Sequence, residues 1–188
     1  MKRHALLALL FITISPAAHA GELVDAAEKA ESLVEEEKFP EAIQALEDAR
    51  DSVWEKSPLT IDNVTLVDGD PSGYGIYTPK ANNEYKAGDP IVIYTEPKGF
   101  GFGRNGDFYT VKIDLDFDIQ DASGASLAKQ ENFSTWEIKS THKNREFMGK
   151  LTYNLNGAAP GIYKFVTTAR DKNADSSTEF TTEIKIIP

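Results

Sequence analysis

The spacing of apolar residues changes near Pro58, and this change constrains the fold more than any other feature of the chain. Before Pro58, apolar residues recur every three to four positions, and after it they recur at every second position. The first spacing places side chains on one stripe of an α-helix, and the second places them on one face of a β-strand. The sequence therefore predicts a helical segment at residues 21–57 and a mainly β domain at residues 58–188.

The helical segment is interrupted once, so that it predicts two helices folded back on each other as a hairpin. Helical spacing runs over residues 22–37, breaks at "EKFPEA", and resumes after Pro40, a residue that the first turn of a helix tolerates. The apolar positions are Leu23, Ala26, Ala27, Ala30, Leu33 and Val34, followed by Ala42, Ala45, Leu46, Ala49 and Val53.

The stretch "AESLVEEEKFPEAIQALEDA" resembles one tetratricopeptide repeat, with small residues at Ala30, Ala42 and Ala49 and an aromatic residue, Phe39, at the turn. No second copy follows. Repeats of this kind bury their apolar faces against neighbouring repeats, so a lone hairpin leaves part of its face uncovered. We expect that face to dock on the β domain, to dimerise with a second subunit, or to bind a partner, and Trp54 is a candidate contact at the end of the hairpin.

The stretch "TVKIDLDFDIQ" alternates apolar and polar residues and predicts a half-buried strand at residues 110–120. Its acidic row, Asp114, Asp116 and Asp118, is expected to face solvent and to oppose pairing at a sheet edge. Turn residues separate further runs of strand character, which predicts an antiparallel sandwich. The other strands are expected at about residues 59–67, 74–78, 90–96, 125–138, 145–155, 162–171 and 176–187.

Two segments resemble bacterial immunoglobulin-like domains. "YKAGDPIVIY" resembles the second strand of such a domain, and "LNGAAPGIYKFVTTARD" resembles its turn and sixth strand, with Tyr163 matching the tyrosine whose hydroxyl pins the corner. The resemblance implies an antiparallel immunoglobulin-like β-sandwich over residues 58–188. It implies no activity, because such sandwiches host many functions.

Residues 1–20 have the features of a secretory signal peptide: basic Lys2 and Arg3, a short apolar run at 5–14, and "SPAAHA" before a cleavage site. We therefore expect a periplasmic or secreted protein. The chain contains no cysteine, which excludes disulfides and a lipidated cysteine anchor. No segment has the roughly 20 apolar residues that a membrane-spanning helix needs.

The charge balance excludes some partners. The chain has 20 basic and 30 acidic residues, and loss of residues 1–20 would change its net charge from -10 to negative 12. Such a surface repels nucleic acid and anionic lipid, so neither is expected as a partner. Acidity is also an ordinary means of remaining soluble, and it leaves room for a basic protein partner.

The stretch "GFGFGRNG" at residues 99–106 has the glycine spacing of a dinucleotide-binding fingerprint, but a strand follows where that motif requires a helix. We interpret it as an exposed loop whose glycines permit positive φ angles. Its rings, Phe100 and Phe102, either form a contact surface or fold back to plug the end of the sandwich.

In an antiparallel sandwich every second loop lies at the same end, which would gather residues 97–106, 140–145 and 171–175. This end would present a basic and aromatic rim suited to an anionic or carbohydrate ligand. The candidate ligand-binding residues are Phe100, Phe102, Arg104, Asn105, His142 and Arg145, with Lys143 and Lys172 beside them.

No catalytic constellation is recognised. Without residues 1–20 the chain has a single histidine, His142, and no nucleophile motif accompanies it. The loops "DGDPSG" at 68–73 and "DKNAD" at 171–175 lack the complete calcium-binding pattern and are explained by turn formation, so no metal or cofactor is expected.

The sequence thus favours a non-catalytic exported binding or adaptor protein that presents its sandwich loops. One alternative is an acidic inhibitor or chaperone of a basic exported protein, whose association would be sensitive to salt. Another is a carbohydrate-active enzyme, for which Asp171 and Asp175 are the only carboxylate pair in the three gathered loops.

Overall fold

The computed structural model describes residues 21–188, so the expected signal peptide at residues 1–20 lies outside the described part of the chain. Two helices are followed by strands, which confirms a mainly β protein with two N-terminal helices. The chain divides into two compact units, and the boundary falls inside the second helix, between Arg50 and Asp51. The elements of residues 21–188 are α1 (Glu22–Glu35), α2 (Phe39–Lys56), β1 (Thr60–Val67), β2 (Glu84–Lys86), β3 (Pro90–Lys98), β4 (Gly103–Asn105), β5 (Phe108–Asp121), β6 (Ser126–Ser140), β7 (Gly149–Asn154), β8 (Gly161–Asp171) and β9 (Ser176–Ile187).

The first unit contains the predicted hairpin. α1 is followed, two residues after its end, by left-handed Glu37 with φ of 58°. The two backbone bonds of a Schellman motif close the turn: Lys38 N–H donates to the Leu33 carbonyl at 2.8 Å, and Glu37 N–H donates to the Val34 carbonyl at 3.0 Å. α2 begins at once, with Pro40 in its first turn. Neither helix is long and apolar enough to cross a membrane.

The second unit contains two sheets that share one core. A three-stranded antiparallel sheet has the order β1-β3-β7, and a larger curled sheet has the order β2-β9-β8-β5-β4, with β6 on the other side of β5. Fully buried side chains come from both sheets, among them Ile93 of β3, Leu115 of β5 and Phe165 of β8. The predicted alternation of β5 is therefore confirmed.

The sheets are mixed, so the expectation of an entirely antiparallel arrangement is wrong. β2 pairs in parallel with β9, because the chain returns from the connection after β1 along the free edge of β9. Lys185 and Glu84 form an ion pair of 2.7 Å across this pairing, and the Asn83 side-chain amide donates to the Glu183 carbonyl at 3.2 Å. β2 has only three residues, too few for apolar and polar residues to show the alternation by which a strand is predicted from sequence.

The strand predicted at residues 74–78 does not form, although a single bridge joins Gly73 to Ile76. Gly75 has φ of 68°, and its N–H donates to the Tyr94 hydroxyl at 2.6 Å instead of to a neighbouring strand. The Tyr77 ring stacks on the Tyr94 ring at 4.1 Å. A turn closed by backbone bonds between Ser72, Gly73 and Ile76, together with side-chain packing, stands in place of a strand here. The strand predicted at 145–155 likewise begins only at β7.

The acidic row of β5 does not protect a sheet edge, because β5 is an interior strand with β6 beside it. Asp116 pairs with Arg170 and accepts the Asn132 N–H at 2.7 Å where β6 bulges. Asp118 accepts the Ser126 hydroxyl at 2.5 Å, and hydrogen bonds from Gln120 and Ser126 lower the pKa of Asp118. The acidic side chains of β5 therefore help to hold β6 against β5 through hydrogen bonds to Ser126 and Asn132.

The hydroxyl of Tyr163 donates to the Ala159 carbonyl at 2.9 Å. This is the hydrogen bond that the tyrosine-corner resemblance implies, since it runs back to the backbone a few residues upstream. It fixes the turn that leads into β8.

Candidate functional site

The three loops that alternation placed at one end of the β domain do meet there, around a cleft of about 500 Å³ that we call the loop-end cleft. The last turn of α2 joins them, and it belongs to the same compact unit as the strands. The cleft is lined by Trp54, Glu55, Ser57, Gly99, Phe100, Gly101, Phe102, Arg104, Tyr109, Lys143, Asn173 and Ala174.

A buried carboxylate holds two of these loops together. Asp171 is 6% exposed and accepts three backbone N–H groups: Gly101 at 2.6 Å on one oxygen, with Asn173 at 2.8 Å and Ala174 at 3.3 Å on the other. The Asn173 side chain in turn donates to the carbonyls of Gly101 and Thr110, at 3.1 and 3.0 Å. The acidic "DKNAD" turn thus holds the glycine stretch in place through hydrogen bonds to Gly101.

Two of the fingerprint glycines are required by close packing and not by positive φ. A Cβ on Gly101 would lie 2.8 Å from the Ala174 Cβ, and one on Gly103 would lie 2.7 Å from the Thr110 hydroxyl. Only Gly106 of the three has a positive φ, 60°, at the turn between β4 and β5. Because β4 pairs with β5 directly, no helix follows the glycines, in agreement with the rejection of a nucleotide site.

The two phenylalanines of the glycine stretch have different roles. Phe100 is 1% exposed and packs edge-on against Trp54 at 5.0 Å and Phe147 at 5.9 Å, so it plugs the end of the core and its ring is not available to a ligand. Its inclusion among the ligand-binding residues was therefore wrong, because the surrounding rings offer it more apolar contact than solvent does. Phe102 stays half-buried, in edge contact with Tyr109 at 6.1 Å.

Trp54 completes the aromatic wall of the cleft. Its indole N–H donates to the Phe100 carbonyl at 2.8 Å, which satisfies the polar atom of an otherwise apolar ring. The sequence marked Trp54 as a contact at the end of the hairpin but did not place it in the cleft. Tyr109 and Asn173 were missed as well, although Asn173 lies in a turn that the sequence singled out.

The basic residues of the predicted rim are largely neutralised by carboxylates. Lys143 pairs with Glu55 at 2.8 Å, and this hydrogen bond raises the pKa of Lys143. Arg145 pairs with Asp51, which lies 3.7 Å from Lys143 too. The charges of Lys143 and Arg145 are therefore offset, because the acidic last turns of α2 reach the same loops.

Arg104 is exposed and stacks on Tyr109, with its guanidinium carbon 3.6 Å from the ring centroid. Arg145 lies behind the cleft wall, 5.7 Å from the Phe102 ring centroid. His142 and Asn105 are exposed but do not line the cleft. Of the six predicted site residues, Phe102 and Arg104 thus present side chains to the cleft, Arg145 supports it, and the other three do not contribute a side chain.

A second concave surface lies in the hairpin unit, and we call it the hairpin groove. It has a volume of about 630 Å³ and a mainly apolar lining. Four of its large apolar side chains are roughly half exposed: Val34 at 48%, Phe39 at 55%, Ile43 at 60% and Leu46 at 53%. The groove is lined by Ala27, Ala30, Glu31, Val34, Glu35, Phe39, Ala42, Ile43 and Leu46.

Residues 21–188 contain no group of three or more acidic or histidine side chains placed to hold a metal ion. In the "DGDPSG" loop at 68–73, whose acidic residues partly resemble a calcium loop, the carboxylates pair with lysines. Asp70 pairs with Lys150 at 3.0 Å, and Asp68 lies 3.7 Å from Lys80. Asp171, one of the two carboxylates considered for glycoside hydrolysis, has both oxygens engaged by backbone N–H groups.

No family model matches the chain, and no curated protein matches it in sequence. Solved structures with some likeness include a family 123 glycoside hydrolase from Clostridium perfringens, which is 11% identical with a TM-score of 0.38 over 68% of this chain and 27% of that one. The sporulation control protein Spo0M from Bacillus subtilis is 10% identical with a TM-score of 0.36, over 70% of this chain and 50% of that one. A conjugative transposon lipoprotein from Bacteroides eggerthii is 14% identical with a TM-score of 0.33, over 68% of this chain and 96% of that one. This chain therefore spans about a quarter of the hydrolase and half of Spo0M.

Proposed function

We propose that the protein is a non-catalytic binding protein, periplasmic or secreted, whose immunoglobulin-like β domain binds a carbohydrate ligand in the loop-end cleft. The observation that carries the proposal is the convergence of three loops and the end of α2 on one cleft with aromatic and hydrogen-bonding walls. Rigid support for these loops, such as the Asp171 fastening, favours binding because less order is lost when the ligand enters.

The chemistry of the walls favours an uncharged carbohydrate over an anion. Phe102 offers ring surface for stacking on a sugar. Polar groups at the same cleft come from Lys143, Asn173 and Arg104, which covers the face of Tyr109. Because Lys143 already pairs with Glu55, an anionic ligand would compete with that carboxylate and meet its charge. A sugar hydroxyl can donate to the carboxylate and accept from the ammonium group, so it leaves the ion pair in place.

The assignment of the β domain to the immunoglobulin-like type is part of the proposal. It is supported by the tyrosine-corner bond from Tyr163 to Ala159 and by the common core of the two sheets. The non-catalytic assignment is supported by the engagement of Asp171 in backbone hydrogen bonds, which leaves the Asp171 and Asp175 pair without a free acid and base.

A binding experiment with a matched control tests the proposal. The protein would be titrated with a panel of neutral and acidic oligosaccharides prepared from cell-envelope glycans, and affinity would be measured by calorimetry. The double variant Phe102→Leu/Arg104→Ala removes ring area and a cation from the cleft wall, and we expect it to weaken binding of a neutral member about tenfold. The control Asn105→Ala/His142→Ala changes two exposed residues that do not line the cleft and should stay within about twofold.

The proposal fails if no oligosaccharide of the panel binds, or if the control variant loses as much affinity as the cleft variant. Release of a shortened sugar during the titration would instead indicate the carbohydrate-active enzyme. Tighter binding of the acidic members would show that the cleft selects charge, contrary to the argument from the Lys143 and Glu55 pair.

A second candidate is an acidic inhibitor or chaperone of a basic exported protein. It is favoured by the excess of 30 acidic over 20 basic residues in the chain. Association of this kind is screened by salt, whereas stacking on a sugar is not, so repeating each titration at high ionic strength separates the two candidates.

A further inference from the structure

The hairpin groove is built by small residues on its floor and large apolar residues on its walls. Ala30 of α1 and Ala42 of α2 line the groove and are only 5% and 3% exposed. Val34 of α1 and Ile43 and Leu46 of α2 line the same groove and remain about half exposed. A contiguous apolar patch with this shape marks an interaction surface, because scattered surface apolar residues do not line one groove.

Acidic residues are in excess in the hairpin unit, and two of them line the groove. Residues 21–50 contain ten carboxylates against three cations, and Glu31 and Glu35 themselves line the groove. Two of the cations are already engaged: Lys38 with Glu36 at 2.6 Å, and Arg50 with Glu47 at 3.9 Å. The groove therefore combines an apolar floor with a negative rim.

The negative rim discriminates between occupants. A second copy of the hairpin would bring the same excess of carboxylates against this one, and like charges facing each other at an interface oppose association. A partner with basic residues beside an apolar stripe would satisfy both features of the groove. The negative rim therefore favours another protein over a second copy of this chain.

The dimensions select a helix. The groove is lined by residues 27–35 of α1 and 39–46 of α2, roughly 11–12 Å of each helix, so it accepts about two turns of a third helix. Apolar side chains at positions i, i+3, i+4 and i+7 of such a helix would meet Phe39, Ile43 and Leu46 along one stripe.

We infer that the hairpin groove binds an amphipathic α-helix of another protein, with leucine-like residues on its apolar stripe and lysine or arginine residues on the flanks that face Glu31 and Glu35. This site is separate from the loop-end cleft and does not depend on the proposed carbohydrate binding. It makes the chain an adaptor with two independent binding surfaces.

The inference can be tested with designed peptides of about 18 residues, long enough to cover the groove. One peptide carries leucines at helical spacing with lysines elsewhere, a second keeps the leucines but replaces lysine by glutamate, and a third scrambles the leucine–lysine sequence. Affinity for the whole protein, purified as the cell processes it, would be measured by fluorescence anisotropy at low and high salt. We expect the leucine–lysine peptide to bind at least about tenfold more tightly than either of the others.

Two groove variants and a charge-matched control identify the site. Ile43→Ser/Leu46→Ser removes exposed apolar groups and should weaken the leucine–lysine peptide at least about tenfold. Glu31→Gln/Glu35→Gln should weaken it about threefold to tenfold at low salt and less at high salt. Glu47→Gln/Asp48→Asn removes the same number of charges at positions that do not line the groove and should change affinity less than about twofold.

Several results would overturn the inference. They are equal binding of the leucine–glutamate or scrambled peptide, equal loss in the charge-matched control, or unchanged affinity in Ile43→Ser/Leu46→Ser with its helical circular dichroism preserved. A dimer in analytical ultracentrifugation that Ile43→Ser/Leu46→Ser dissociates would assign the groove to a second copy. The cleft variant Phe102→Leu/Arg104→Ala should keep full peptide affinity, so failure at one surface is distinguishable from failure at the other.

Discussion

The carboxylate of Asp171 accepts the backbone N–H of Gly101 at 2.6 Å, across 70 positions of the chain. This bond joins the turn after β8 to the stretch that leads into β4. Gly101 cannot be replaced by a larger residue without a clash with Ala174. The glycine stretch and the turn after β8 are therefore held by a hydrogen bond and also packed in direct contact. The walls of the loop-end cleft depend on this junction.

Asp171→Asn is expected to lower the free energy of unfolding by about 1.5–3 kcal/mol, because the amide is uncharged and its NH2 group leaves at least one of the three backbone N–H groups without an acceptor. Urea denaturation measures the change, and amide hydrogen exchange should show faster exchange at Gly101. The control Asp175→Asn alters an exposed residue of the same turn and should have little effect. Equal stability of Asp171→Asn and the unaltered protein would contradict the role assigned to this carboxylate.

Gly149→Ala is expected to destabilise the β domain by about 1–3 kcal/mol or more through overpacking. A Cβ at this position would lie 2.5 Å from the Thr95 hydroxyl and would clash with the Trp136 ring, whose indole N–H donates to the Lys150 carbonyl at 3.2 Å. Thermal and chemical denaturation measure the effect. Gly161→Ala is the matched control, since its nearest neighbours would be 3.9 Å away, and a similar loss there would refute the steric explanation.

Asp51→Asn is expected to cost about 1–3 kcal/mol, since it leaves Arg145, whose side chain is 12% exposed, without its charged partner. A double-mutant cycle with Arg145→Met should return a coupling free energy of the same order. The pair of Asp62 and Lys98 provides the comparison. Its side chains are 48% and 47% exposed, so Asp62→Asn should cost less than about 1 kcal/mol. Equal costs for the two pairs would mean that burial does not strengthen the first.

The stability of the β5–β6 pairing should depend on pH through Asp118. Hydrogen bonds from Gln120 and Ser126 lower the pKa of Asp118 below its ordinary value of 3.8. A carboxyl group of this kind contributes stability above pH 3.8, and that contribution is lost as the pH falls through the lowered pKa of the folded state.

Ser126→Ala should therefore reduce stability at neutral pH, and the difference from the unaltered protein should vanish in acid. Denaturation curves collected from neutral to strongly acidic pH would show this, and an NMR titration should show the Asp118 pKa moving up toward 3.8 in the variant. In an Asp118→Asn background, Ser126→Ala should have no pH-dependent effect. A constant difference at all pH values would assign the contribution of Ser126 to some other contact.

Much of the candidate site could be anticipated because strand direction follows from chain order. Alternation placed residues 97–106, 140–145 and 171–175 at one end, and members of each segment do line the cleft. The charges of that end could not be anticipated. The pairing of Lys143 with Glu55 spans 88 positions and that of Arg145 with Asp51 spans 94, and no local pattern relates residues so far apart.

The type of each long element follows from the local pattern of residues, because the backbone geometry of a helix or strand imposes its period on the side chains that must be buried. The sequence also determined that the hairpin would have an apolar face without a second repeat to cover it. Three outcomes required the packed structure: Phe100 is buried while Phe102 lines a cleft, β2 joins its sheet in parallel, and Lys143 and Arg145 are paired with carboxylates. These outcomes depend on contacts between distant segments, whose energies are settled only when the sheets pack and exclude water.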